Sequence, residues 1–536
     1  MKYVLYGLPC AGKTSLLSKL NIPVIHGSME LNRMASGKFS DLSDEEKNKL
    51  RIEYTKQLSD RDDTFISDGH YSFLDKVVFT ESDGNLYDVF IYCYCKPEQI
   101  KERLQVSSKN HRFAELSLER IKKWQNFEIE TLRSECHKRN KDFYVVHDIT
   151  SADLQGFIES IESEYSSYHI AEKISESIMS IYPKPCELHI CDGDKTIIKQ
   201  DSFRVCTNNY VTHAFDGNFY TGYQSMLFST EVQNVEYDIS KLSEISLNKR
   251  IHNIITDKNY IILSSGITVL WKKLAVQFGL KNVIADTLIS ADTKYFVVKI
   301  LQDKGYNIVA YGDSKNDYYM LKKADRGYLY IGPYLSHSLE NTDMSGIKMI
   351  YDKSPYILTD TTDITDSVKK DIEICKSSSG INGSRLVESH TRLGRTLGKS
   401  LQKFIPNLGT SIIVLERGGR FFGNGVYESF DGVFFPYDPK TDDLPDIHSN
   451  IVVIVDSVIN TGKSILDTIC KLKQKVRNIE IFIVTNVIQE KAVELLKDYK
   501  IFAVRTSSNS FIGKRQNEQK DGNGPDTADR LFNYIN

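Results

Sequence analysis

The stretch VVIVDSVINTGKS, residues 452–464, combines a strand with a phosphate-type loop. Its first four residues are branched and apolar, as in a buried parallel strand, and Asp456 ends that predicted strand. Four residues then open the following helix: Thr461, Gly462, Lys463 and Ser464. An ATP-binding loop of the GxxxxGK(S/T) type needs glycine where this chain has Ser457. We therefore predict that this loop binds a phosphate at a helix N-terminus and that it is not a degraded ATP loop.

A complete ATP-type loop lies at the start of the chain. GLPCAGKT, residues 7–14, follows a short apolar strand and precedes a leucine-rich helix, as this motif requires. Backbone N–H groups of such a loop wrap the β-phosphate. Lys13 would reach the β- and γ-phosphate oxygens, and Thr14 would ligate Mg²⁺. We expect ATP to be bound by four residues: Gly7, Gly12, Lys13 and Thr14.

The acceptor side of that site is indicated by FISDG, residues 65–69. Asp68 lies at the carboxyl end of the predicted strand, where α/β proteins bind ligands, and it is a candidate to hold the metal's water or an acceptor hydroxyl. Five later cations form either a lid over the phosphates or a solvated helix face: Lys101, Arg103, Lys109, Arg112 and Arg120. The segment resembles the adenylate-kinase-like P-loop nucleoside and nucleotide kinases, which implies ATP-dependent phosphorylation of a nucleoside- or nucleotide-like acceptor.

A second set of strand ends carries acidic residues. Asp192 and Asp194 follow an apolar strand, and residues two apart in an extended chain point the same way, so both can face one substrate. One carboxylate can attack phosphorus while the other protonates the leaving oxygen. Three further motifs complete the set. They are Ser264 after a second apolar run, Lys294, and the pair Asp313 and Asp317 after a third run.

These four motifs, in this order, resemble the haloacid dehalogenase-like phosphatases, especially the phosphoserine-phosphatase-like branch. The resemblance implies that Asp192 becomes an aspartyl phosphate, that Asp194 is the general acid and base, and that Ser264 and Lys294 hold the phosphoryl group. Ser265 and Lys299 are rivals for the last two roles. The resemblance also implies a Mg²⁺ site formed by Asp192, Asp194 through its carbonyl, Asp313 and a supporting Asp317. Residues 197–255 lie where this family places its cap.

Two further motifs accompany the opening stretch. VLERGG, residues 414–419, is followed by Asn424 and Gly425, and the sequence DTADRLF occupies residues 526–532. Together the three motifs resemble the uracil phosphoribosyltransferase-like branch of the type I phosphoribosyltransferases, whose closing motif is Gly-Asp-x-Gly-Asp-Arg-x-Phe. The chain departs from that motif at Pro525, and residues 511–524 are more charged than a pyrimidine pocket.

The resemblance implies that the C-terminal segment binds phosphoribosyl pyrophosphate (PRPP). The implied ligands of PRPP and pyrophosphate are Arg417, Asp456, Thr461, Gly462, Lys463, Ser464, Asp526 and Arg530. Arg417 would clamp pyrophosphate, since a planar guanidinium suits that task. Asp456 would lie near the ribose hydroxyls as a catalytic residue, Asp526 would meet Mg²⁺-pyrophosphate, and Arg530 would shape the site. A protein of this fold that senses PRPP without reacting is the alternative.

Composition sets the broad class. The 536 residues suggest three or four domains at about 150 residues each. We predict three consecutive parallel-sheet α/β domains, at 1–160, 165–365 with the cap at 197–255, and 373–536. A net charge of −3 gives no basic field for nucleic acid or an anionic membrane. No apolar run reaches the roughly 18 residues of a membrane span. The start shows no leader pattern, and nine scattered cysteines fit reduced thiols, so we expect a cytoplasmic protein.

The motifs together predict a trifunctional enzyme of nucleotide metabolism with Mg²⁺ as cofactor and ATP and PRPP as co-substrates. Its partners would be small nucleobases and nucleotides, with no membrane partner, and a homo-oligomer is compatible with the sequence. Two alternatives stay open. A nucleic-acid end-healing kinase-phosphatase would act on oligonucleotide ends, although the charge and the C-terminal segment disfavour nucleic acid. A stress- or conflict-response protein would make or sense an unusual nucleotide.

Overall fold

The computed structural model describes residues 1–107, 110–163, 165–332, 336–339, 342–351, 355–360, 364–405, 409–430, 432–476, 479–507 and 526–534. The chain divides into two compact units, Met1–Leu329 and Tyr330–Asn536. Three main sheets of five, six and six strands carry the architecture, with helices between the strands. All strand pairs of the first and third sheets are parallel. The predicted α/β class is confirmed.

The first sheet has the order β2-β3-β1-β6-β7. Its strands are β1 (Lys2–Tyr6), β2 (Val24–His26), β3 (Phe65–Asp68), β6 (Val89–Cys93) and β7 (Asp142–Val146). A small hairpin is formed by β4 (Ser72–Phe73) and β5 (Lys76–Val77). The helices are α1 (Lys13–Leu17), α2 (Gly27–Met34), α3 (Asp44–Ser59), α4 (Glu81–Leu86), α5 (Pro97–Val106), α6 (Leu118–Arg139) and α7 (Ser151–Glu162). The central strand β1 is apolar on both faces because helices cover both faces of such a sheet. Its carboxyl end leads directly into the glycine loop.

The second sheet has the order β10-β9-β8-β11-β12-β13. Its strands are β8 (Glu187–Cys191), β9 (Tyr260–Ser264), β10 (Val283–Ala285), β11 (Asn307–Gly312), β12 (Arg326–Ile331) and β13 (Ile347–Tyr351). Its helices are α8 (Ser167–Ile181), α9 (Ser202–Cys206), α10 (Gly222–Val232), α11 (Lys249–Ile255), α12 (Thr268–Phe278), α13 (Ala291–Asp303) and α14 (Lys315–Lys323). The short helices α9 to α11 occupy the segment in which we expected a cap. Residues of α9 and α10 contribute to a small apolar cluster that includes Phe203 and Phe228.

The apolar residues between Leu154 and Ile181 recur at helical spacing, which predicts one helix, but the structure has two helices here, α7 and α8. The chain leaves α7 at Glu162 and starts α8 at Ser167. The hydroxyl of Ser166 accepts a hydrogen bond from the backbone N–H of His169 at 3.1 Å. An N-cap of this kind satisfies one of the free N–H groups at the start of a helix. A new helix therefore starts here, although the spacing of the apolar residues continues from α7 into α8.

The first sheet and strands β8 to β11 of the second sheet belong to one compact unit, whereas the sequence predicted separate domains at 1–160 and 165–365. Helix α6 contacts α13 directly, and Arg133 Nε of α6 lies 3.2 Å from Asp292 Oδ1 of α13. His137 of α6 contacts the same carboxylate, with Nε2 2.7 Å from Oδ1. Arg133 Nη1 also donates to the hydroxyl of Tyr319 on α14 at 2.6 Å. A buried polar network therefore joins the two sheets.

The cap segment adds a second connection within this unit. Strand β7 is the edge of the first sheet, and its residue Val145 has backbone groups that face outward. The N–H of Val145 donates to Thr221 Oγ1 at 3.2 Å, and its carbonyl accepts from Gln224 Nε2 at 2.8 Å. Since unpaired edge groups invite association with other strands, the cap segment protects this edge.

The third sheet has the order β14-β19-β18-β17-β15-β16. Its strands are β14 (Tyr356–Ile357), β15 (Thr410–Leu415), β16 (Gly432–Tyr437), β17 (Ile451–Ile459), β18 (Glu480–Gln489) and β19 (Lys500–Ser507). Its helices are α15 (Asp366–Cys375), α16 (Ser384–Leu401), α17 (Arg420–Tyr427), α18 (Lys463–Lys475), α19 (Glu490–Leu495) and α20 (Thr527–Leu531). Asn424 and Gly425, matched to a loop motif by sequence, lie inside α17. A side chain at Gly425 would collide with the carbonyl of Thr391, so this glycine permits close packing of α16 and α17.

The lengths of the apolar helices and the state of the cysteines can be compared with the sequence predictions. Within the ranges that the structure describes, no helix is both long and apolar enough to cross a membrane. All nine cysteines are free thiols, as the sequence predicted.

Candidate active sites

Three acidic residues that follow two strand ends meet at the carboxyl edge of the second sheet. Asp192 follows β8, while Asp313 and Asp317 follow β11, and β8 and β11 are adjacent parallel strands. One carboxylate oxygen from each of the three lies within 4.8 Å of the others. The structure thus brings together the three side chains that we predicted to hold a metal. The side chain of Asp194 is not part of this group, which agrees with a role for its carbonyl only.

Lys294 neutralises part of this cluster. Its ammonium donates to Asp192 Oδ1 at 2.6 Å and to Asp317 Oδ1 at 2.7 Å, and its side chain is fully buried. The other oxygen of Asp317 accepts from the backbone N–H groups of Asp313 and Ser314 at 3.1 and 3.3 Å. Lys294 therefore stands between two carboxylates whose positions are fixed.

The charge balance of the cluster fits a hard divalent cation. Burial and the neighbouring Asp317 raise the pKa of Asp192 to about 7, against the opposing effect of Lys294. Burial, Asp317 and Asp192 likewise raise the pKa of Asp313. Three carboxylates face one another with a single ammonium between two of them, and oxygen ligands of this type suit Mg²⁺. The residues present therefore fit the Mg²⁺ ion that the sequence predicts.

Asp194 is held apart from the cluster and points toward the cap side of the site. Its Oδ1 accepts from the backbone N–H of Ser202 at 2.5 Å, and its Oδ2 accepts from Trp271 Nε1 at 3.1 Å. Burial, and next the charge of Asp201, raise the pKa of Asp194 to about 6. A carboxyl group with such a pKa can exchange a proton near neutral pH.

Ser264 lies at the end of β9, beside the turn that carries the two aspartates. A β-carbon placed on Gly193 would lie 2.6 Å from Ser264 Oγ, so the two segments are in direct contact. The rival Ser265 is committed elsewhere, because its hydroxyl donates to the carbonyl of Ile289 at 2.6 Å and accepts from Asn316 Nδ2 at 2.8 Å.

The rival lysine is also committed elsewhere. Lys299 donates to the carbonyl of His137 at 2.8 Å and to Asn140 Oδ1 at 2.7 Å, at the end of α6. It therefore stabilises the end of that helix, away from the carboxylates. The geometry favours Ser264 and Lys294 for the two roles in question.

The N-terminal loop has the conformation that a phosphate loop needs. Gly12 is the N-cap of α1 with φ of 100°, a left-handed conformation that favours glycine. Lys13 Nζ donates to the carbonyls of Gly7 and Leu8 at 2.5 and 3.2 Å, and burial lowers its pKa. Lys13 is thus held within the loop, and Thr14 is exposed toward the adjoining cavity.

Asp68 is fixed at the end of β3 by the start of α2. Its Oδ1 accepts from the N–H of Gly27 at 3.0 Å, and its Oδ2 lies 2.9 Å from His26 Nδ1. Asp68, Lys13 and Thr14 all line one cavity of about 720 Å³. The structure therefore places the predicted acceptor residue and the predicted phosphate loop around a common space.

The predicted cationic lid is only partly present. Arg103 donates to the carbonyl of Cys10 in the glycine loop at 3.1 Å and lines the cavity. Arg112 instead stacks over Phe113 at 4.6 Å, and Arg120 forms an exposed ion pair with Asp75. Lys109 lies outside the described residues. The exposed pair of Arg120 fits the solvated helix face, the alternative that the sequence left open.

The strand in the opening stretch is longer than predicted. Strand β17 continues through Asp456 to Ile459, because Val458 and Ile459 pair with Val487 and Ile488 of β18. The connecting loop is thereby reduced to the residues between Ile459 and Lys463. Gly462 caps α18 with φ of 74°, again a left-handed glycine directly before a lysine.

Asp456 and Asp526 lie near each other in the C-terminal site. Burial, and to a lesser extent Asp526, raise the pKa of Asp456 to about 7, although the backbone N–H groups of Ser457 and Val458 oppose that rise. Asp526 caps α20 and accepts from the N–H of Ala528 at 2.8 Å. A side chain at Gly418 would lie 3.9 Å from Asp456 Oδ1, so the turn after β15 also borders the site.

Arg417 and Arg530 have different environments. Arg417 is half-exposed, and its Nη2 lies 3.6 Å from Asp529 Oδ1, so it remains accessible to a ligand. Arg530 is buried and donates to the carbonyls of Cys375, Lys376 and Ile381 at 3.3, 3.1 and 2.8 Å. Direct binding of pyrophosphate by Arg530 is therefore not favoured; this side chain fixes the turn before α16.

Three residues of these sites escaped sequence reasoning. Trp271, which holds Asp194, looks like an ordinary core residue of an amphipathic helix. Arg51 and Asp83 line the cavity beside the N-terminal phosphate loop, and each belongs to a charged helix with no recognisable motif. The sequence signal at Asp83 is a capping pattern, Thr80 followed by Asp83, which predicts only a helix start.

Comparison with known proteins supports the C-terminal resemblance. The family model described as uracil phosphoribosyltransferase matches residues 438–533. This match covers the loop before α18 and the closing motif, so the predicted similarity is confirmed for that part of the chain. No curated protein matches the sequence.

Three solved structures match parts of the chain at low sequence identity. A HAD family hydrolase from Salmonella enterica serovar Typhi is 16% identical over 32% of this chain and 69% of its own, with a TM-score of 0.20. A phospho-aspartyl intermediate analogue of phosphoserine phosphatase is 16% identical over 27% and 87%, with a TM-score of 0.19. Xanthine-guanine-hypoxanthine phosphoribosyltransferase from Helicobacter pylori is 12% identical over 24% and 84%, with a TM-score of 0.18. TM-scores of this size support no inference about function.

Proposed function

We propose that this chain is a Mg²⁺-dependent enzyme of nucleotide metabolism with three sites: a phosphatase, a phosphoribosyltransferase and a kinase. The phosphatase is supported best. The observation that carries it is the position of Lys294 between Asp192 and Asp317, with Asp313 in the same carboxylate group.

At the phosphatase site the carboxylate of Asp192 attacks the phosphorus of a phosphomonoester. The bond between phosphorus and the leaving oxygen breaks, and Asp194 gives that oxygen its proton. Water then attacks the aspartyl phosphate, Asp194 takes a proton from it, and phosphate leaves with Asp192 restored. Lys294 and Ser264 hold the phosphoryl group during both steps. Bound Mg²⁺, held by Asp192, Asp313 and the carbonyl of Asp194, would neutralise charge that develops on the phosphoryl oxygens.

The other two sites complete the proposal. In the second unit, Asp456 and the loop before α18 would hold the ribose phosphate of PRPP, and Arg417 would contact its pyrophosphate. The match of residues 438–533 to the uracil phosphoribosyltransferase model supports this part. In the first unit, Lys13 and Thr14 would hold ATP and Asp68 would face the acceptor, which the shared cavity supports.

Separate variants test the three activities in the full-length chain. Asp192→Asn, Asp456→Asn and Lys13→Ala are each assayed for hydrolysis of p-nitrophenyl phosphate, for pyrophosphate release from PRPP with a panel of bases, and for Mg²⁺-dependent transfer from ATP. We expect each variant to lose one activity and to retain the other two. The phosphatase proposal fails if Asp192→Asn hydrolyses the ester at the wild-type rate.

Two outcomes would favour the alternatives. Removal of a 3′-phosphate from oligonucleotides, together with phosphorylation of their 5′-hydroxyl, would indicate an end-healing enzyme. Tight PRPP binding without pyrophosphate release for any base would indicate that the second unit senses this metabolite.

A further inference from the structure

The cavity beside the phosphate loop reaches beyond the predicted catalytic residues. Its volume of about 720 Å³ lies within the usual range of small-molecule sites. Phosphate-loop residues line one part of it, and Arg51 of α3 and Asp83 of α4 also line it. No part of the ATP-binding motif explains these two charged residues.

Arg51 has an unused guanidinium. It makes no hydrogen bond or ion pair with any residue that the structure describes, and its contact with a ring is the face of Phe39, 5.6 Å from the ring centroid. A half-buried guanidinium normally has a carboxylate partner because burial without one is costly. Burial lowers the pKa of Arg51, and Asp83 and Asp44 oppose that effect without pairing with it.

Asp83 has one unused oxygen. Its Oδ2 accepts from the backbone N–H and the hydroxyl of Thr80, both at 2.7 Å, whereas its Oδ1 accepts from no donor among the described residues. Burial raises the pKa of Asp83, and its bonds to Thr80 and the charge of Arg51 oppose the rise. Arg51 and Asp83 thus line one cavity with opposite charges and form no ion pair with each other.

Tyr54 relates this pair to the reaction centre. It lies one turn after Arg51 on α3, a rise of about 5 Å, and lines the same cavity. Its hydroxyl is 2.9 Å from Ser67 Oγ, and Ser67 precedes Asp68. A ligand with a hydroxyl at Asp68 would therefore extend past Tyr54 toward Arg51 and Asp83.

We propose that the acceptor at this site is an uncharged nucleoside whose base places a hydrogen-bond acceptor on Arg51 and a neighbouring N–H on Asp83. A base edge that carries both a donor and an acceptor matches a guanidinium and a carboxylate. A flat base also suits the aromatic side chains in the cavity lining, which include Phe39, Tyr54 and Tyr87. A phosphorylated acceptor fits poorly, because its phosphate would meet a carboxylate at either end of the cavity: Asp68, where transfer takes place, or Asp83, beside Arg51. The inference rests on the proposed kinase function.

The transfer step balances with residues already named. The nucleoside hydroxyl oxygen bonds to the γ-phosphorus of ATP, and the bond from that phosphorus to the β,γ-bridging oxygen breaks. ADP leaves, and the hydroxyl proton passes to Asp68. Arg51 and Asp83 take no part in this exchange, so their removal should weaken binding more than turnover.

The experiment uses the full chain with Asp192→Asn, which keeps the phosphatase from removing the product. Labelled γ-phosphate transfer from Mg²⁺-ATP is measured to cytidine, uridine, adenosine and guanosine and to the four corresponding 5′-monophosphates. We expect at least one nucleoside to exceed its own monophosphate by about tenfold or more in kcat/KM. Arg51→Met should raise the KM for that nucleoside by about tenfold, with kcat changed by less than about threefold.

Matched variants separate binding from folding. Arg33 is an exposed arginine of α2 outside the cavity lining, so Arg33→Met should leave both constants unchanged. Asp83→Asn keeps an oxygen for the cap of α4 and should reduce the discrimination against monophosphates. A preference for monophosphates, or an unchanged KM in Arg51→Met, would overturn the proposal. ATP turnover that depends on Lys13 but yields no phosphorylated nucleoside would overturn the nucleoside proposal and leave the kinase proposal intact. Absence of any Lys13-dependent ATP turnover would overturn both proposals.

Discussion

Arg133 and Asp292 form an ion pair that is almost completely shielded from water, with 3.2 Å between Nε and Oδ1. Burial alone would lower the pKa of Arg133, but Asp292 and Tyr319 outweigh that effect and raise it. The pair joins α6, which belongs to the first sheet, to the helix that carries Lys294. The proposed kinase and phosphatase sites are therefore supported by one continuous framework.

Removal of Arg133 should destabilise the first unit strongly. Arg133→Met leaves Asp292 buried beside His137 alone, and a buried charge that loses its partner typically costs about 3–5 kcal/mol. The chain's two tryptophans, Trp124 and Trp271, both lie in this unit, so denaturant unfolding followed by tryptophan fluorescence measures the effect. The matched control is Arg326→Met, which removes an exposed pair with Glu187 and should cost about 1 kcal/mol or less. Equal costs for the two variants would contradict the prediction.

Replacement of Lys294 should abolish phosphatase activity without abolishing the fold. Lys294→Met removes the cation that holds Asp192 and Asp317, and loss of such a charge-stabilising group typically lowers kcat by about 100- to 1,000-fold. Ester hydrolysis is measured alongside circular dichroism to confirm folding. Lys299→Met is the control, because Lys299 binds the end of α6 and should leave kcat within about threefold. A similar loss in both variants would argue against the assignment.

Addition of Mg²⁺ should stabilise the first unit through the carboxylate group. An ion that binds only the folded state at about 100 times its Kd adds about 2.7 kcal/mol. The midpoint of thermal unfolding, followed by tryptophan fluorescence, should rise when Mg²⁺ is added and fall back to its initial value when a chelator is added. Asp313→Asn should remove this response, while Asp257→Asn, at an exposed position, should retain it. A Mg²⁺ response that survives in Asp313→Asn would place the ion elsewhere.

The stability of the second unit should fall in mild acid because of His390. Burial lowers the pKa of His390 from 6.5 to about 4, while its contact with the Leu386 carbonyl opposes the shift. Below pH 6.5 the unfolded chain binds a proton at this residue that the folded chain does not bind. The stabilisation present above pH 6.5 is therefore lost between about pH 6.5 and 4, to a total of about 3 kcal/mol.

Amide exchange over residues 384–401, corrected for the intrinsic rate, measures this loss between pH 7 and pH 5. His390→Gln should show a smaller difference between the two pH values. An exchange rate that is independent of pH in the wild-type chain would refute the role of His390.

A methyl group should have opposite effects at two helical glycines. Gly425→Ala places a methyl group against the Thr391 carbonyl between α16 and α17, and overpacking of this kind costs about 1–3 kcal/mol. Gly156→Ala, in α7, meets no atom within 4 Å and should stabilise its helix by about 0.5–1 kcal/mol. Calorimetry of both variants measures the two changes in stability. A lower stability of Gly156→Ala than of the wild type would contradict the prediction that residue 156 has room for a methyl group.

The sequence was most informative about features that residue type and the order of strands alone determine. Asp192, Asp313 and Asp317 each follow an apolar run, and strand ends of adjacent parallel strands meet at one edge. Their meeting could therefore be anticipated without knowledge of packing. The fold class followed from the same alternation of strands and helices.

The sequence was least informative where tertiary contacts decide a role. Arg51 and Asp83 become neighbours only because α3 and α4 border the same cavity, and nothing in either helix indicates the other. Arg530 keeps its place in a family motif, yet its donors are used by backbone carbonyls. The end of β17 was misplaced because Asp456 suggested a strand end, whereas pairing with β18 carries the strand three residues further.

The outer edge of β7 depends on Thr221 and Gln224, which come much later in the chain. A fragment that stops near residue 163 would present an uncovered strand edge, the kind of surface that recruits strands from other molecules. The N-terminal segment that carries the first sheet is consequently not a module that can be removed and transferred to another protein. A chimera would have to include the segment with Thr221 and Gln224 as well. Domain exchange in this protein should therefore use the boundary of the whole first unit.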